Sequence, residues 1–70
     1  MPAWSFEVKG AEDLEIKLRN EIFALDNLGR GDEIYGTVSV VYSDDNAKTS
    51  SLVAQLESRG VAFIWSKKGE

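Results

Sequence analysis

The sequence predicts an α/β fold bordering on α+β: a small two-layer sandwich of order β-α-β-α-β, with a three-stranded sheet and both helices on one of its faces. Three observations carry this expectation. Residues 3–8 alternate strictly between apolar and polar. Apolar residues then recur at spacings of three or four from Ala11 to Leu25, and two β-rich runs, 33–43 and 61–65, flank a second stretch of helical spacing. Crossovers of this kind are right-handed and leave the strands parallel. A helix with one apolar face needs a sheet to cover it.

The first strand is Ala3-Trp4-Ser5-Phe6-Glu7-Val8, which sets Trp4, Phe6 and Val8 on one side. Lys9-Gly10 ends it. From Ala11 to Leu28, residues Ala11, Leu14, Leu18, Ile22 and Leu25 share a helical face. Glu12 and Asp13 fall in its first turn, where the helix dipole favours negative charge, and Gly29 suits a left-handed cap. Because Leu14-Glu15-Ile16-Lys17-Leu18-Arg19 also alternates, the competing reading is an N-terminal hairpin followed by a short helix, strand, helix and strand. Continuation of the stripe to Leu25 and the absence of Gly or Pro favour the helix.

Arg30-Gly31-Asp32 reads as a turn, and Glu33–Ser43 as a strand rich in β-branched and aromatic residues, with Gly36 suggesting a bulge or a close backbone approach. Asp44-Asp45-Asn46 offers caps for a second helix to about Arg59, with a stripe of Thr49, Leu52, Val53 and Leu56. Gly60 stops it. Val61–Trp65 is continuously apolar, as in a strand covered on both faces. Residues 66–70 read as a frayed polar tail. The whole of 1–70 is one domain.

Composition excludes more than it proposes. Seventy residues with a net charge of −4 contain no cysteine and no histidine. Disulfides, thiolate nucleophiles, thiolate zinc sites and the usual near-neutral general base are therefore absent. Scaling with mass gives a folded surface of ~4,400 Å² and one small core. No apolar run approaches the ~20 residues of a membrane span, and the first residues lack the pattern of a secretory signal. A soluble cytoplasmic protein is expected, with no membrane association.

The acidic pairs Glu12/Asp13, Asp32/Glu33 and Asp44/Asp45 sit at predicted element starts, where capping and the helix dipole account for them. No catalytic, metal or cofactor residues are assigned from them, and Asp44-Asp45-Asn46 lacks the alternating spacing of a calcium loop. There is no glycine-rich phosphate fingerprint. Eight scattered Lys and Arg against twelve acids argue against nucleic acid as a partner and suit a basic protein surface instead.

Two surfaces remain. On the first helix, Ile16 and Phe23 lie seven apart opposite the core stripe, with Asn20 between them. On the open sheet side, Tyr35 and Val41 join Ala62 and Ile64 in an uncovered patch. The expected function is that of a small acidic protein-binding domain (a regulator, adaptor or inhibitor) without catalytic activity. Its partner-binding residues are Ile16, Asn20, Phe23, Tyr35 and Val41, and a homodimer is expected as readily as a monomer. Two alternatives belong to other classes. If Met1 is removed, the amine of Pro2 becomes an N-terminal base. Small tautomerases use that device on a β-α-β unit of similar length, and the resemblance implies an enzyme acting through Pro2. A small-ligand module instead needs a pocket at the strand ends near Ser43 and Asn46.

Overall fold

A computed structural model describes residues 3–29 and 36–69. The strand β1 spans Ala3–Val8, the helix α1 Ala11–Asn27 and the strand β2 Gly36–Tyr42. A 3-10 helix, η1, covers Asp45–Thr49, followed by the helix α2, Ser51–Ser58, and the strand β3, Val61–Lys67. All three strands are parallel in the order β1-β2-β3. The hairpin reading fails because α1 is one continuous helix through the ambiguous segment.

The sheet is sided. Trp4, Phe6 and Val8 align with Val38, Val40 and Tyr42 and then with Phe63, Trp65 and Lys67. Val8, Val38, Val40, Tyr42 and Val61 are buried there against Leu14 and Leu18 of α1 and Val53 and Leu56 of α2. The half-buried rings of Trp4, Phe6, Phe63 and Trp65 close the two edges of this layer. Phe63 and Trp65 stack at 5.5 Å, and Trp65 meets Tyr42 edge-on at 5.9 Å. Aromatic pairing of this kind adds to simple area burial. The accessible surface, 4379 Å², matches the ~4,400 Å² expected of a folded chain of this mass.

The outward side carries Ala3, Ser5 and Glu7 on β1, Thr37, Ser39 and Val41 on β2, and Ala62, Ile64 and Ser66 on β3. No layer covers it among the described residues. This corrects the expectation that β3 is covered on both faces: Val61 is buried and Phe63 and Trp65 are half-buried, whereas Ala62 and Ile64 are exposed. Its apolar run is continuous, but burial alternates.

Other boundaries differ from expectation. The second helix begins at Ser51, because Asp45–Thr49 takes the tighter 3-10 path first. Thr49 accordingly leaves the apolar stripe and donates its hydroxyl to the Asn46 carbonyl at 2.7 Å. Ser66 and Lys67 are strand, not tail: they pair with Val41 and Tyr42, and the Lys68 amide donates to the Tyr42 carbonyl at 2.8 Å. Gly36 opens β2 at φ 127, a conformation that favours glycine, instead of bulging inside it. The expected turn at Arg30-Gly31-Asp32 and strand residues 33–35 lie outside the described residues.

Candidate protein-binding surfaces

The outward face of α1 is built by its length. Leu14 and Leu18 are fully buried and Ile22 and Leu25 half-buried, so the opposite side of the same helix must face solvent. Ile16 is 52% and Phe23 67% exposed, with the exposed Asn20 between them. Seven residues at 1.5 Å each put the two apolar side chains about 10 Å apart on one stripe. Among the described residues Phe23 is the sole exposed aromatic. Leu28, 69% exposed just past the helix end, extends apolar surface beyond Asn27. Sequence periodicity passed over Leu28, which keeps the spacing of three from Leu25 but falls just past the last helical residue and so is not buried.

Charge accompanies this stripe. The helix holds Glu12, Asp13, Glu15, Glu21 and Asp26 against Lys17 and Arg19, three of the chain's four net negative charges. Its two i,i+4 ion pairs, Lys17–Asp13 at 3.5 Å and Arg19–Glu15 at 3.6 Å, are partly exposed and so add little to stability. Their effect is to hold the basic groups against the helix, leaving its field negative.

The start of α1 is fastened to the far end of the sheet. Gly10 occupies the cap position and has no side chain to offer, so Asn46 from η1 supplies the acceptor: the Ala11 amide donates to its Oδ1 at 3.1 Å. A Cβ on Gly10 would stand 2.6 Å from that oxygen, which accounts for glycine here although its φ of −154° suits any residue. Asp13 reaches back to accept the Lys9 amide at 3.0 Å, and the Ser43 and Asp44 amides both donate to the Lys9 carbonyl. Asn46→Ala is expected to cost about 1 kcal/mol, as the loss of a helix cap does. Gly10→Ala displaces the same oxygen, so the double variant should lose no more than the worse single one. Urea midpoints of the three proteins check this; full additivity would separate the two residues.

These contacts leave a shallow depression of about 380 Å³ lined by residues 9–13, Ile16, Asp44 and Asn46. Three of its side chains, Glu12, Asp13 and Asp44, are acidic, which disfavours a phosphate. Among the described residues no group of three or more carboxylates is placed to hold a metal ion. The polar side chains just beyond Asn46 turn to separate partners instead of converging on the depression. Lys48 sits 5.1 Å over the Tyr42 ring, Thr49 bonds to Asn46, and Ser50 turns inward to Glu15.

The candidate residues thus divide between opposite sides of the molecule. Ile16, Asn20 and Phe23 come together on α1, while Val41 lies half-buried on the outward sheet face. Tyr35 and Pro2 lie outside the described residues. Ile64, 55% exposed, is the most prominent apolar group on the sheet face. This agrees with its expected place in the uncovered patch beside Val41 and Ala62.

No protein-family model, curated protein or solved structure matches the chain. Among the described residues no helix is long and apolar enough to cross a membrane.

Proposed function

We propose that this chain is a non-catalytic protein-binding domain that docks the outward face of α1 into an apolar groove rimmed by Lys and Arg on a partner protein. The observation that carries the reading is the pairing of Ile16 and Phe23, both more than half exposed, on a helix that holds most of the molecule's net negative charge. Anchors seven apart on one helical face are the pattern of helix-in-groove recognition. An exposed aromatic is also the residue type that carries most energy when an interface closes over it. The surrounding carboxylates would steer a basic surface toward the helix and set its orientation.

Placing a photo-crosslinking side chain at position 23 tests this, with a control at exposed Ala54 on α2. Adducts with a basic protein are expected at 23 and not at 54, and they should fall as salt rises. Ile16→Asp should abolish the adduct at position 23 while leaving the circular dichroism and melting temperature close to those of the protein without that substitution. Equal labelling at both positions, or a variant that unfolds, would overturn the assignment.

A further inference from the structure

We infer that the uncovered face of the sheet is a homodimerisation surface, on which two copies of this chain pack face to face about a two-fold axis along β2. Sheets made only of parallel strands occur almost always with both faces covered. Here all three strands are parallel and the outward side carries no layer among the described residues. β3 bears the sequence mark of double coverage, its unbroken apolar run, although Ile64 stands 55% exposed on its own chain.

Charge selects the occupant. Each copy is net −4, so two copies associate only through a surface that keeps their acids apart. The helix α1 holds most of that charge on the far side of the molecule. Among the described residues the outward sheet face carries one acid, Glu7, and Lys68 pairs with it at 3.1 Å. Such a face is neutral, so it neither repels an identical copy nor attracts the basic partner that α1 suits.

Shape agrees with charge. Ile64 lies level with Ser39 and Ser5 across the three strands. A half-turn about the β2 direction exchanges β1 with β3, setting Ile64 of each copy over the partner's Ser5 and Ser39 over its own counterpart. Two projections then fill two low regions, the self-complementarity that an isologous contact requires. Three strands about 4.8 Å apart, each about six residues at ~3.3 Å, cover roughly 300 Å². That is well below the ~800 Å² per partner of a standard stable interface. The dimer is therefore weak and forms as concentration rises. It leaves both α1 helices facing outward, so a dimer presents two copies of the α1 surface.

Sedimentation equilibrium between about 1 μM and about 1 mM, the span of weak affinities, tests this inference. The average mass is expected to rise from one chain toward two across that range. Ile64→Asp and Ser39→Arg, both on the outward face, should hold the protein monomeric at every concentration with its circular dichroism unchanged. Should Ile64→Asp fail to fold, Ser39→Arg decides. A protein that stays monomeric throughout overturns the inference, as it would if another segment or partner covers the face. A dimer that survives both folded substitutions also overturns it, pointing to pairing between sheet edges. Neither substitution touches α1, so the outcome is independent of the partner-docking reading.

Discussion

Leu18→Ala is expected to unfold a large part of the protein at physiological temperature, whereas Phe23→Ala, on the same helix, should leave the melting curve almost where it was. Leu18 is fully buried, in contact with the cluster that joins both helices to the sheet. Truncating a buried leucine costs about 2–5 kcal/mol, the lost transfer energy plus that of the cavity left behind. At about 0.05–0.15 kcal/mol per residue, a chain this short has roughly 4–10 kcal/mol in total. The midpoint should therefore fall by on the order of 10–25 °C. Phe23 is two-thirds exposed, and exposed substitutions usually stay within about 0.5 kcal/mol of neutral. Thermal unfolding followed by circular dichroism compares the two directly. A loss below about 1 kcal/mol for Leu18→Ala would mean that α1 does not close this core.

The contrast between those residues also shows what was readable from the chain. The repeat Leu14, Leu18, Ile22, Leu25 identified α1, its buried side and, by subtraction, Ile16, Asn20 and Phe23 as outward. Element order followed, and with it the parallel sheet, since right-handed crossovers leave few other arrangements. The failures share a cause: each depended on contacts distant in sequence. Ser66 and Lys67 look like a polar tail in isolation and become strand only because β2 offers Val41 and Tyr42 as ladder partners. Asp44, Asp45 and Asn46 all look like caps for the helix that follows. Asn46 instead caps the helix that precedes it by 35 positions, a service that Gly10 cannot perform for itself. The candidate surfaces were legible where periodicity defines a face, as on α1. On β3 the unbroken apolar run misled about coverage alone: Ala62 and Ile64, assigned to the open side, are exposed there.

Both helices are anchored from outside themselves, and this bears on the α1 surface. Asn46 holds its N-terminus, and Lys17 donates to the Glu7 carbonyl at 2.7 Å, tying the helix to β1. A third fastening lies between the helices. A helix so pinned presents Ile16 and Phe23 at a fixed angle, and a preorganised face loses less entropy on docking than a mobile one.

That third fastening is Ser50, and its replacement is the second substitution expected to have a large effect. Ser50 is 5% exposed. Its hydroxyl accepts the Leu52 amide at 3.3 Å, capping α2, and donates to Glu15 Oε1 on α1 at 2.7 Å. Ser50→Ala removes both contacts: about 1 kcal/mol for the cap and a further bond to a charged acceptor, discounted because the Glu15 side chain remains 25% exposed. The sum is roughly 2 kcal/mol. Ser50→Asp is the sharper experiment. Aspartate caps a helix as well as serine does, so the α2 terminus is preserved, but its carboxylate would face Glu15 where a donor is needed. It should therefore be destabilised at neutral pH by at least as much as the alanine variant. Adding Glu15→Gln, whose amide can donate to the new carboxylate, should recover much of the loss. The resulting double-mutant cycle is expected to show coupling of about 1–3 kcal/mol in urea unfolding. If Ser50→Asp proves as stable as the unmodified protein, the two helices are not pinned at this point, and α1 is held by Asn46, Lys17 and its core stripe alone.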